Sequence, residues 1–189
     1  MTPDALTGGF TDAPVQSARA FRAVLDAMAQ PGMIRQVEGA APPAPLSAAA
    51  GVAILTLVDG TTSLHLAGAA NCVAVRDWVT FHTGAPLVSA EAADFAVGSW
   101  DALNPVSRFR IGRPDYPDRS ATLIIEVPIL HASGARLTGP GIQAAAQLSL
   151  PDIEAFQANR ALFPLGFDTI LTCGTSLAAL PRSTRVEDV

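Results

Sequence analysis

The stretch from Ala121 to Leu130 constrains this chain most. Leu123-Ile124-Ile125 and Val127 put apolar side chains at consecutive positions. A strand with one wet face alternates apolar and polar residues, so a continuous apolar run predicts a central strand covered on both sides. A sheet that holds such a strand needs a layer of structure on each face.

The segments around this run supply those layers. Phe21, Val24, Leu25 and Met28 fall at i, i+3, i+4 and i+7, one face of a helix that starts after Thr11-Asp12, with Pro14 in its first turn. Gln30-Pro31-Gly32 ends it, and Met33 to Val37 is expected as a short strand. Leu46 to Val58 is apolar nearly all round and predicts a buried helix capped by Ser47. Val75, Trp78, Val79 and His82 share a face of another helix, closed by Gly84. Ser63 to Leu66, Pro86 to Ser89, Phe95 to Val97, Thr169 to Thr172 and Leu177 to Leu180 read as strands, and Ser149 to Leu162 as a last helix. Helices and strands alternate, which predicts an α/β fold with a three-layer mixed sheet between helices.

With 189 residues and 49% hydrophobic content, one domain spanning residues 1–189 is expected. The net charge of -5 argues against nucleic-acid or anionic-membrane binding. All 12 cationic residues are arginines. Without lysine there is no Schiff-base amine and no phosphate-gripping P-loop lysine. Cys72 and Cys173 are far apart with no paired spacing, as in proteins of a reducing compartment. Met1-Thr2-Pro3-Asp4 does not open a signal peptide, and no apolar run reaches spanning length. A cytoplasmic protein is expected.

Few residues suggest chemistry. Gly139-Pro140-Gly141-Ile142-Gln143-Ala144 has the form of a dinucleotide loop, but its proline removes an N–H donor and no acid follows about 20 residues on, so it reads as a structural turn. His65, His82 and His131 lie in separate segments without metal-ligand spacing, and no metal site is expected. His82 closes a helix, where the dipole favours a donor or cationic side chain. Cys173 ends an apolar strand and reads as an inert thiol. Arg108, Arg110, Arg113 and Arg119 interleave with Asp101, Asp115 and Asp118, and can either meet an oxyanion or pair internally. Arg182-Ser183-Thr184-Arg185 sets two arginines around two hydroxyls with fewer acids nearby, and can bind an oxyanion or pin a strand. No catalytic constellation emerges. The candidate ligand or partner contacts are His82, Asp168, Arg182, Ser183, Thr184 and Arg185.

From Phe21 to Glu187 the chain resembles the PhnH family, the H subunit of the bacterial carbon–phosphorus lyase system. The resemblance is carried by Phe21-Arg22, Ala27-Met28 and Pro31-Gly32, by Leu55-Thr56-Leu57-Val58-Asp59, and by Phe81-His82-Thr83 with Ala85-Pro86-Leu87-Val88. Thr122-Leu123-Ile124 and Arg136-Leu137-Thr138-Gly139 with Gly141-Ile142 add to it. Its C-terminal part runs through Phe163-Pro164-Leu165-Gly166-Phe167-Asp168, Leu171-Thr172-Cys173-Gly174 and Pro181 to Glu187.

The resemblance implies a fold like the large domain of pyridoxal-phosphate-dependent transferases, without the cofactor. It also implies an accessory subunit that acts with the G, I and J proteins in forming alpha-D-ribose 1-methylphosphonate 5-triphosphate, and that self-associates as a homodimer in isolation. The alternative is an independent enzyme or binding domain for a phosphorylated small molecule, with a site built from Arg182, Arg185, His82 and Asp168. That alternative requires these groups to converge.

Overall fold

A computed structural model describes residues 6–188, so the reading of Met1 to Asp4 lies outside the described residues. Helix α1 (Ala13–Ala29) starts where the sequence predicts, although Asp12 makes no side-chain cap. Gln16 reaches back instead, and its Oε1 accepts the Asp12 N–H at 2.8 Å and the Thr11 hydroxyl at 3.3 Å. The buried stripe of α1 is Ala20, Val24 and Ala27, while Phe21 and Leu25 are about half exposed. Helix α2 (Ala48–Leu57) is capped by Ser47, whose Oγ accepts the Ala50 N–H at 3.1 Å, and it is buried without interruption from Ala49 to Ile54. Helix α3 (Val73–Thr83) buries Val75, Trp78 and Val79. It stops at Gly84, whose φ of 68° is a left-handed conformation suited to glycine.

Six strands form the main sheet: β1 (Arg35–Gln36), β2 (Leu64–Leu66), β3 (Phe95–Ser99), β4 (Thr122–Glu126), β7 (Asp168–Cys173) and β8 (Ser176–Leu180). Their order is β1-β8-β7-β4-β3-β2, with β2, β3, β4 and β7 parallel and β8 antiparallel to both β7 and β1. The run that predicted a central strand is β4, flanked by β3 and β7, with Leu123, Ile124 and Ile125 fully buried. Alternate side chains point to opposite layers. Ile124, Ile170 and Val97 meet α1, α2 and α3. Leu123, Ile125 and Leu171 meet the other layer.

That other layer corrects the expected sheet between helices. It holds the short α4 (Trp100–Leu103) and α5 (Ile153–Ala161), together with a second antiparallel sheet of β5 (Ala135–Thr138), β6 (Ala146–Leu148) and β9 (Arg185–Glu187) in the order β6-β5-β9. The indole of Trp100 stacks on Phe156 at 5.5 Å and 18°. The strands of the small sheet are three or four residues long, too short for a periodic signal in the sequence. Pro86 to Ser89 reduces to a single parallel bridge, Leu64 to Leu87.

The Gly139–Gly141 turn leads into β6 rather than into a helix, so it lacks the setting of a dinucleotide loop. Its backbone packs on the end of α1. Gly141 has φ 81°, and a Cβ there would lie 1.9 Å from the Ala29 carbonyl oxygen. Gly141→Ala combines left-handed strain with a backbone clash, so a loss of at least about 2 kcal/mol is expected. Thermal melting checks this; a variant as stable as the wild type contradicts the packing described.

Candidate functional site

Charged side chains of the central strands lie only at the strand ends, because both faces of the sheet are dry. At the N-terminal end of β7, Asp168 meets Arg182, which follows β8. Asp168 accepts the Arg182 backbone N–H at 2.8 Å, its Nε–H at 3.2 Å and an Nη2–H at 2.6 Å. Arg182 Nη1 donates to the Pro117 carbonyl at 2.7 Å, and Nη2 also reaches the Ser120 hydroxyl. The Arg182 side chain is 12% exposed. Its donors are spent on the protein, so it acts as a clamp that ties β7 and the end of β8 to the Pro117–Ser120 loop.

The other sequence candidates do not join this clamp in one pocket. Ser183 and Thr184 form the turn before β9, where the Thr184 N–H donates to the Pro181 carbonyl at 2.9 Å. The Thr184 hydroxyl is buried with no hydrogen-bond partner among the described residues. Arg185 is exposed on β9, paired across from Thr138. His82 ends α3, in the layer beyond β2 and β3, where its ring lies 5.1 Å from Trp78 and 4.9 Å from Phe81. His82 Nε2 lies 3.1 Å from the Thr7 carbonyl, which also accepts the Trp78 Nε1–H at 3.0 Å. The histidine therefore holds the Thr7 segment against α3.

Close to the clamp is a pocket of about 370 Å³ lined by Arg110, Ile111, Gly112, Arg113 and Arg119. Arg110 pairs with Asp94 and donates Nε–H to the Ala93 carbonyl at 3.2 Å. Burial opposes ionisation of Asp94, but hydrogen bonds from the Ser63 hydroxyl and N–H, together with Arg110, outweigh it and hold its carboxyl below the usual range. The Arg119 guanidinium lies 4.3 Å from the centre of the Tyr116 ring. Of the internal pairing expected within this loop, none forms with Asp115 or Asp118 among the described residues.

The opposite end of the strands holds a group that the sequence did not single out. Glu126 closes β4 beside Ser99 of β3 and Thr172 of β7. Its carboxylate accepts the Ser47 N–H at 2.6 Å and the Thr172 hydroxyl at 3.2 Å, which attaches the N-terminus of α2 to the sheet. Burial is the dominant influence and raises the pKa of this carboxyl despite those hydrogen bonds. A cavity of about 510 Å³ opens beside it, walled by Trp100, Asp101, Pro128, Ile129 and Pro151. The only trace in the sequence was one acid at the end of an apolar strand. Cys173, at the end of β7, directs its thiol to the Pro128 carbonyl at 3.5 Å. Among the described residues no group of three or more histidines, cysteines or acids can hold a metal ion.

The comparisons with known proteins agree with one another. The family described as bacterial phosphonate metabolism protein (PhnH) matches residues 8–187. The chain is 37% identical over 190 aligned positions to a Rhizobium meliloti (strain 1021) protein named alpha-D-ribose 1-methylphosphonate 5-triphosphate synthase subunit PhnH, covering 96% of this chain and 95% of that one. It is 32% identical over 173 positions to HtxG of Stutzerimonas stutzeri, provisionally named a C-P lyase subunit, covering 88% of this chain and 84% of that one.

Two outcomes follow from this geometry. Arg182→Ala strands Asp168 in a largely buried setting, and a loss of about 3 kcal/mol in denaturant unfolding is expected, only partly restored by Arg182→Lys, which keeps the charge without the fork. Glu126→Gln tests the raised carboxyl. Below its ordinary value of 4.5 the acid is protonated folded and unfolded, so the variant and the wild type differ little from pH effects. As pH rises through the folded value the wild type loses stability that the amide keeps. The melting-temperature difference should therefore shift toward the variant with rising pH, and a difference independent of pH rules this out.

Proposed function

The chain belongs to the PhnH family of bacterial phosphonate metabolism proteins, and we propose that it is an accessory subunit of the carbon–phosphorus lyase core complex. In this reading it supports formation of alpha-D-ribose 1-methylphosphonate 5-triphosphate in the cytoplasm, alongside the G, I and J subunits, and associates as a homodimer when they are missing. Its fold is then that of the large domain of pyridoxal-phosphate-dependent transferases, used as a binding scaffold; a chain without lysine has no amine for the cofactor's aldimine. The observation that carries the reading is the match to a named synthase subunit over nearly the full length of both chains.

An apolar groove supports the docking role. Phe21, Leu25 and Met28 of α1 face Leu57, Phe95 and Ile170 across a cleft of about 200 Å³. Phe21 is 51% and Leu25 45% exposed, although the same helix had small buried positions for its core stripe. Large side chains held half in water at one place are the signature of an association surface. No helix of the described residues is long and apolar enough to cross a membrane, so this surface is not part of a spanning helix.

Co-expression with the G, I and J subunits, followed by size-exclusion chromatography with light scattering, tests the proposal. A stable complex containing this chain is expected, and a chain that elutes alone in every combination sinks it. Phe21→Asp with Leu25→Asp should weaken self-association or complex assembly at least tenfold, with a small change in melting temperature because both side chains are already half exposed.

A further inference from the structure

We propose that the hairpin from Arg110 to Arg119 is a binding site for the oxyanion head of a small organic phosphate. The inference goes beyond the subunit role and stands or falls separately from it.

The hairpin is rigid before any ligand arrives. Ile111 and Ser120 form an antiparallel bridge, the Ala121 N–H donates to the Arg110 carbonyl at 2.8 Å, and Arg113 and Tyr116 exchange backbone hydrogen bonds at 3.0 Å. The Arg119 N–H closes the turn on the Tyr116 carbonyl at 3.2 Å, and the Gly166 N–H donates to the Ile111 carbonyl at 2.9 Å, fixing the hairpin to the chain entering β7. Gly112 has φ 83°, and a Cβ there would lie 2.5 Å from the Pro117 carbonyl oxygen, so the turn closes only around glycine. Arg182 grips Pro117 and Ser120 from below.

On this frame three arginines line one pocket of about 370 Å³. Arg110 is partly committed: Asp94 and the Ala93 carbonyl take Nη2 and Nε, and Nη1 has no protein partner among the described residues. The side chains of Arg113 and Arg119 have no carboxylate or hydrogen-bond partner among the described residues, and the Tyr116 ring supports Arg119 from one side. The acids close by do not cancel this charge. Asp94 is neutralised by Arg110 and Asp168 by Arg182, while Asp115 and Asp118 do not line the pocket.

Guanidinium forks recognise tetrahedral oxyanions in pairs, and a preformed frame lowers the entropy cost of gathering them. The cavity has the size of small-molecule sites, roughly 300–1,000 Å³, larger than an oxyanion alone needs. Ile111 supplies an apolar wall for an organic remainder. A concave cluster of this kind suits a small ligand better than an extended acidic peptide, which would require a stripe of charge.

Isothermal titration of the full chain with pyrophosphate and with ribose 5-phosphate at low ionic strength is the test, with ribose as control. Saturable binding of either phosphate, absent for ribose, weakened by added salt and reduced about tenfold for each arginine removed in Arg113→Ala and Arg119→Ala, is the expected result. No binding of either phosphate, or binding unchanged in the double variant, overturns the proposal. Both side chains are exposed, so the double variant should melt within a few degrees of the wild type; Arg113→Gln with Arg119→Gln serves in its place if it does not. The double variant should still assemble with the G, I and J subunits, which separates failure of this site from failure of the subunit role.

Discussion

Everything else in this fold depends on covering the central strands on both faces. β4 buries Leu123, Ile124 and Ile125 in succession, and β7 does the same with Ile170 and Leu171. With both faces dry, backbone polar groups are satisfied along the ladder and side-chain charge moves to the strand ends. The register makes this concrete. Thr122 pairs with Asp168 at one end and Glu126 with Thr172 at the other, so the same two strands carry an acid at each end.

The two acids meet different conditions. Asp168 is matched by a guanidinium that also gathers a carbonyl and a hydroxyl, so its burial is compensated by charge and by hydrogen bonds. Glu126 has no cationic partner among the described residues. It is held by a backbone N–H at the start of α2 and by one hydroxyl, and burial dominates. A helix N-terminus favours a carboxylate, but it does not replace a full counter-charge. One end of the strands is therefore a clamp that organises an arginine hairpin, and the other joins the helical layer to the sheet.

This distribution suits a protein that works by association. The polar groups with several partners serve the fold, α1 holds Phe21 and Leu25 half in water beside an apolar groove, and the Arg110–Arg119 hairpin holds Arg113 and Arg119 without carboxylate partners among the described residues. Docking and oxyanion recognition both need surfaces of this kind, placed on rigid elements rather than on flexible loops.

The layered α/β architecture was legible in the sequence, because consecutive apolar residues in β4, the Ser47 cap and Gly84 are local statements about burial and backbone geometry. The small sheet was not legible, since its short strands are fixed by contacts distant in sequence, with Leu137, Leu148 and Val186 packed in the same core as Leu123 and Leu171. Nor could the sequence separate a spent arginine from a free one. Arg182 and Arg113 are alike as residues, and only the fold places Asp168, Pro117 and Ser120 around the first and none of them around the second. The sequence by itself determined the central strand, its helical cover on one face and the family; the tertiary structure alone decided the second sheet and which charges are consumed, because pairing depends on distances between segments dozens of residues apart.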